Sequence, residues 1–311
     1  MPSLSDLEEK ALLKLRLRAQ MYEKQMQKQL ADSLNQIYGE MTKLYDKYAV
    51  NGKLTKAQMT AYNKYSTMEK NIIAKLDPAL KANIKTIKKL LPDMYNESFF
   101  QHAWAMDMAT GVSLSYGAVN TKALLAAMDI NNPKNIELVN ALKNYGPKAK
   151  MQIRSAILKN LSLGKSYKQM AKDLENSMNK IYSSGMTIAR TEGQRAQNKG
   201  QDDAYTQAKA QGVEGNMVWS ATLDMRTRPT HGAMDGVIKS KDGMYHGAIG
   251  DAQYPCDPNL PAEESINCRC RERFEIDGYS PQLMRTREEG VLGYLPYEKY
   301  VEEYHPEWKS K

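Results

Sequence analysis

Apolar residues in the first two thirds of the chain recur at helical spacing. Leu30, Leu34, Ile37, Met41, Leu44 and Tyr48 alternate steps of four and three, which gathers them into one stripe of the kind buried in helical hairpins. Ser5 with Glu8 reads as a capping box opening this helix, and Asn51-Gly52 supplies the left-handed turn that ends it. Thr55 with Gln58 opens the next, so residues 1–76 predict a long antiparallel helical hairpin. Asp77-Pro78 then reads as a cap and first helical position, and Pro92 closes the run from Ala79 to Leu91. Further helical patterns follow at 93–109, 121–129, 135–145 and 148–160, punctuated by Gly111, Pro133 and Gly146-Pro147. Ser166 with Gln169 caps another, and Thr187 to Gln211 is the last, which makes 77–211 a helical bundle.

After Gly212 the texture changes. Gly, Pro and Asp become frequent, and Met217-Val218-Trp219 and Ile266 to Ile276 read as strands. The expected fold is a mainly α N-terminal region, 1–211, with a small α+β C-terminal domain at 212–278. An acidic, Tyr-rich tail at 279–311 follows, either a short docking helix or loosely held.

Composition narrows the class. Hydrophobic residues make up 41% and charged residues 26% of 311, values of an ordinary globular chain, with 19 Met and 19 Tyr against 3 Phe. No apolar run reaches the roughly 18 residues of a membrane span, and the start lacks a signal-peptide pattern, so no membrane partner is expected. Three late cysteines, Cys256, Cys268 and Cys270, suit reduced thiols or ligands and synthesis in a cytoplasm. Charge is asymmetric. Residues 1–200 carry 31 Lys and Arg against 17 Asp and Glu, whereas residues 201–311 carry 13 against 19. A basic half suits nucleic acid or an acidic protein surface; equally, spread lysines simply solvate long helices.

Reactive side chains crowd two stretches, Trp219–Gly236 and Tyr254–Phe274. Three readings of them stand open. As a metal site, His231, Cys268 and Cys270 supply three zinc ligands, with Asp235, Asp257, His246 or Cys256 as the fourth. On a regular strand, C-x-C would hold its sulfurs about 7 Å apart, so a turn must gather them. As a metal-dependent or nucleotide-acting enzyme, His231 would act as base with Asp224 and Glu263 as further carriers, although no nucleophile elbow, HExxH, P-loop or dinucleotide fingerprint is present. As a structural brace, Asp224, Arg226, Arg228 and the neighbouring acids pair with one another and with loop backbone.

The order Ala189-Arg190-Thr191-Glu192, Trp219, Asp224-x-Arg226-Thr227-Arg228-x-x-His231-x-x-x-Asp235-Gly236, Tyr254-Pro255-x-Asp257-Pro258, Ala262-Glu263-Glu264 and Asn267-Cys268-Arg269-Cys270 resembles the C-terminal domain of the phage Mu F-like head-morphogenesis (minor capsid) proteins. The resemblance covers roughly residues 150–275. It implies a virion protein of a tailed bacteriophage, present in few copies inside the head near the portal and made in the bacterial host cytoplasm. Implied partners are the portal protein, the major capsid or scaffolding protein, and double-stranded DNA bound without sequence specificity. The residues carried over are Asp224, Arg226, Arg228, His231, Asp235, Asp257, Glu263, Asn267, Cys268 and Cys270, whereas Cys256 stands where the family commonly has a small residue. The expected role is structural rather than catalytic.

Overall fold

A computed structural model describes residues 3–61, 64–111, 114–116, 136–222, 224–276, 283–285, 291–293 and 302–303. Its main helices are α1 (Leu4–Tyr48), α2 (Lys56–Ala61), α3 (Tyr65–Thr110), α4 (Ile136–Ser162) and α5 (Tyr167–Ala210). They are followed by β1 (Gly215–Ser220), the short helices α6 (Pro229–Ala233) and α7 (Ala262–Ser265), β2 (Arg271–Ile276), β3 (Leu283–Arg285) and β4 (Val291–Gly293). β1 pairs antiparallel with β2, Gly215 opposite Ile276 and Ser220 opposite Arg271, and β3 pairs antiparallel with β4. The fold class is the expected one, a helical N-terminal region with a small α+β part after it.

Helix ends and interiors differ from expectation in instructive ways. The boxes at Thr55/Gln58 and Ser166/Gln169 form, each with reciprocal bonds to the backbone amides. The α1 box is instead Ser3 with Asp6, the Asp6 amide donating to Ser3 Oγ at 3.2 Å. Glu8 is half-buried, accepting from the Tyr205 hydroxyl and from the Phe274 amide at 3.2 Å. Three prolines read as boundaries lie inside helices: Pro78 and Pro92 within α3, and Pro147 within α4. A mid-helix proline costs about 3 kcal/mol. Ile72, Leu76, Leu80, Ile87 and Leu90 are all buried along α3, and each such burial contributes about 1.5–3 kcal/mol, so continuity of the apolar stripe wins. Likewise the helix expected from Thr187 is the second half of α5. The pattern at 121–129 and most of the Tyr-rich tail lie outside the described residues.

The chain divides into two compact units. One comprises residues 20–90 and 135–189; the other comprises 1–19, 91–134 and 190–311. The division cuts α5 at 189/190 rather than the chain at 211/212. In the first unit, Leu30, Ile37 and Met41 of the predicted stripe are buried with Met68, Ile72, Leu76, Ile153, Ile157, Leu174 and Met178. Ser33 Oγ bonds to the Lys75 carbonyl, and Asn71 Nδ2 to Glu40, so α1 and α3 run antiparallel, the hairpin the stripe implied.

The second unit explains why its share of α5 belongs with the strands. Gln194, Asn198 and Gln201, at steps of four and three, share one face of α5. Asn198 Nδ2 donates to the carbonyls of Pro255 at 2.7 Å and Cys270 at 3.0 Å, and Gln201 Nε2 to that of Glu272 at 2.8 Å. Carbonyls of the loops and of β2 are thereby satisfied by side-chain amides of the helix. Gly200 makes the packing of α5 on α3 possible: a Cβ there would stand 2.4 Å from the Tyr95 carbonyl oxygen.

Candidate metal centre

The site is assembled from three short segments held by backbone chemistry. Asp224 closes the first loop as an Asx turn, Oδ1 accepting the Arg226 amide at 2.9 Å. Pro229 then starts α6, its fixed φ suited to the first helical position, and α6 carries His231 inward. Asp235 Oδ1 accepts the Ala221 amide at 2.8 Å, and Gly236, at φ +82°, lets its own amide reach the Trp219 carbonyl at 2.9 Å. In the third segment Asn267 sits at φ +55°, its amide donating to Thr191 Oγ1 at 3.0 Å. That turn precedes β2, so Cys268 and Cys270 are on irregular backbone rather than a regular strand.

The consequence is convergence. His231, Cys268 and Cys270 are buried, and one ligand atom from each lies within 4.8 Å of the others. His231 Nδ1 is 3.2 Å from Cys270 Sγ and 3.7 Å from Cys268 Sγ. On the far side of the ring, Nε2 is 2.9 Å from Glu264 Oε2, which also accepts the Thr230 hydroxyl at 3.0 Å. Arg228 Nη1 approaches the same Nε2 at 3.4 Å, while its Nη2 donates to the Ile266 carbonyl at 2.6 Å. The neighbouring Cys256 and Cys270 thiols favour the ionised form of Cys268 and hold it well below its ordinary range, while burial pushes Cys256 up. Cys268 and Cys270 thus sit together at His231 Nδ1, and the Cys256 thiol, buried in the same cluster, donates to the Ser265 carbonyl at 3.8 Å.

The remaining sequence candidates divide between brace and periphery. Burial acts to raise the Asp224 carboxyl, but hydrogen bonds from Arg269 and the Arg226 amide outweigh it and hold the group at about 2. Asp257 is buried and its oxygens accept the Gln253 amide and both donors of Asn259, so it closes its own loop. Trp219 is fully buried against Tyr245, ring centroids 5.2 Å apart. Glu263 is exposed; the neighbouring Glu264 is the acid that meets His231. Exposed His246 pairs with Asp242 and Asp251 and does not join the triad. Two contributors were absent from the sequence reading. One is Arg269 as the partner of Asp224. The other is the α5 stripe, together with Arg195, which chelates Glu192 and donates to the Cys256 carbonyl at 2.8 Å.

Fold and site together define a mainly helical protein carrying a compact, internally braced polar module. Residues 151–273 match the Phage Mu protein F like family. The chain is 30% identical to the Minor head protein GP7 of Bacillus phage SPP1 over 285 residues, 89% of this chain and 91% of that protein. It is also 27% identical over 209 residues to the NAD(+)--arginine ADP-ribosyltransferase EFV of Enterococcus faecalis, covering 66% of this chain and 42% of that protein. An uncharacterized protein of Haemophilus influenzae is 29% identical over 164 residues. No solved structure matches the chain significantly. The chain belongs to the Phage Mu protein F like family, and its role is that of a minor capsid, head-morphogenesis protein. That role carries with it a place in the virion and association with other capsid components. No helix of the described residues is long and apolar enough to cross a membrane.

Proposed function

We propose that the chain sits inside the head beside the portal, with its all-helical unit facing packaged DNA and its mixed unit making the protein contacts. The observation that carries this reading is the partition of charge between the units. Residues 20–90 and 135–189 hold 22 Lys and Arg against 9 Asp and Glu, a balance of +13, whereas the other unit holds 22 against 27, or −5. Within the basic unit, exposed Lys43, Lys47 and Lys64 line a groove of about 210 Å³ with Tyr48 and Asn71. Lysines on helix surfaces attract phosphates without reading sequence, through counterion release. In the other unit, Phe100, Trp104 and Met108 are exposed at steps of four along α3, a face suited to the portal or another capsid protein.

The polar module acts here as a brace, without catalysis. Its cleft, bordered by Thr222, Arg226, Arg228, His231 and Asn267, has a volume of about 20 Å³. That is room for about one water, against the ~300 Å³ or more of a small-molecule site. The relative named as a transferase is matched over 42% of its length, so its activity has ample chain elsewhere to reside in.

Fluorescence anisotropy of the full chain with random-sequence duplex DNA tests the DNA-facing half of the reading. Affinity is expected to fall linearly on a log–log plot against salt, with about 0.9 of slope for each phosphate neutralised. Binding that is absent at low salt, or unchanged as salt rises, overturns it.

A further inference from the structure

We propose that the module holds a structural zinc ion, ligated by His231 Nδ1, Cys268 Sγ and Cys270 Sγ, with Cys256 Sγ completing a Cys3His tetrahedron. Zinc–sulfur and zinc–nitrogen bonds of about 2.3 and 2.05 Å at tetrahedral angles set ligand atoms about 3.8 Å apart for sulfur–sulfur and about 3.6 Å apart for sulfur–nitrogen. The observed nitrogen–sulfur separations of 3.2 and 3.7 Å bracket the second value, and all three donor atoms fall within 4.8 Å. Hydrogen bonding alone accounts for this poorly. One imidazole nitrogen faces two sulfurs, yet it offers a single proton or a single lone pair.

The tautomer also suits a ligand. With its proton on Nε2, the imidazole donates to Glu264 Oε2 at 2.9 Å and leaves the Nδ1 lone pair facing the two sulfurs. A carboxylate behind a histidine is the arrangement that orients and strengthens metal-bound imidazoles. Thr230 in turn fixes Glu264, and the longer Arg228 contact keeps the carboxylate side of the ring charged and polar.

Carboxylates do not compete for the fourth position. Asp257 is consumed by loop amides, and Asp235 Oδ1 by the Ala221 amide. Cys256 is fully buried in the same cluster as Cys268 and Cys270, the remaining thiol within that cluster. Among the described residues it is one of three non-glycine positions at positive φ, +68°, a backbone state that costs energy and persists where surroundings demand it. Its carbonyl is pinned by Arg195, and its thiol donates to the Ser265 carbonyl at 3.8 Å, a weak bond that a metal would displace. Four protein ligands leave no open position, which makes the centre structural rather than catalytic.

Elemental analysis of the full chain, purified without chelator from zinc-supplemented cells, tests the site. The expected result is about one zinc per chain, with all three thiols unreactive toward a disulfide reagent until zinc is stripped. Cobalt added to the stripped chain should give the visible bands of tetrahedral thiolate coordination. Cys268→Ser and His231→Ala should each lose at least tenfold in zinc affinity, and Glu264→Gln, which leaves every ligand in place, should lose a smaller factor. Substoichiometric zinc in the wild-type chain together with freely reactive thiols overturns the site whatever the variants do. A Cys256→Ser chain that binds zinc as tightly as wild type, with an unchanged cobalt spectrum, overturns the fourth ligand.

Discussion

Replacing Asp224 with Asn tests the brace directly. Asp224 accepts Arg269 Nη2 at 2.6 Å and a second bond from Nη1, as well as the Arg226 amide at 2.9 Å. Asn keeps the acceptor for the amide but loses the charge that meets Arg269. The carboxyl falls from 3.8 to about 2 on folding, and at about 1.4 kcal/mol per unit the ceiling is about 2.5 kcal/mol. The Arg269 side chain is 34% exposed, so water screens part of this and a loss of about 1.5–2 kcal/mol is expected near neutrality. The sign is fixed by the direction of the shift. A group whose carboxyl is lowered by folding stabilises the protein above its unfolded value and loses that contribution as pH falls through the folded one. The gap between wild type and Asp224→Asn should therefore be constant above about pH 5 and close between pH 4 and pH 2. Urea unfolding read by Trp219 fluorescence, with Trp104 and Trp308 replaced by Phe so that only the module reports, measures the gap. A difference that is the same at pH 7 and pH 2.5 refutes the reasoning. So does a gap below about 0.5 kcal/mol at pH 7, the scatter of ordinary surface substitutions.

Two further outcomes follow from buried groups in the same unit. Burial raises the Glu272 carboxyl to about 8, beside Lys239 and Asp202; its contribution is full below about 4.5 and lost as pH rises toward 8, so Glu272→Gln should match wild type near pH 5 and exceed it in melting temperature at pH 8.5. Gly200→Ala places a methyl 2.4 Å from the Tyr95 carbonyl oxygen, and a loss of about 1–3 kcal/mol in chemical unfolding is expected, against the slight gain that Ala gives in an unobstructed helix.

What the sequence disclosed depended on whether a signal was local. The stripe from Leu30 to Tyr48 specified its helix and its buried face because every position on it faces one core. The proline boundaries misled because Pro78, Pro92 and Pro147 are local breaks set within long apolar registers, and burial summed over a helix exceeds one break. Ser5/Glu8 and Ser3/Asp6 are equally good capping signals; the choice fell to Tyr205 and Phe274, which draw Glu8 inward from more than 190 residues away in sequence.

The candidate site was legible as a set of residue types and only partly as geometry. The sequence nominated His231, Cys268 and Cys270, and the turn needed to gather the sulfurs is supplied by Asn267 at φ +55°. Glu263 and Glu264 are adjacent, and one step along the α7 turn decides which faces the imidazole. Gln194, Asn198 and Gln201 look like a solvated helix face until the loop and β2 carbonyls that they cover are known.

Cross-linking mass spectrometry of purified virions and empty procapsids, from the phage that encodes this chain, tests its assignment as a head component most directly. Its peptides should appear in both particles at a small fraction of the abundance of the major capsid protein, with cross-links from the Phe100–Met108 face to the portal. Absence from both particles, or recovery only in the soluble lysate, would contradict the assignment.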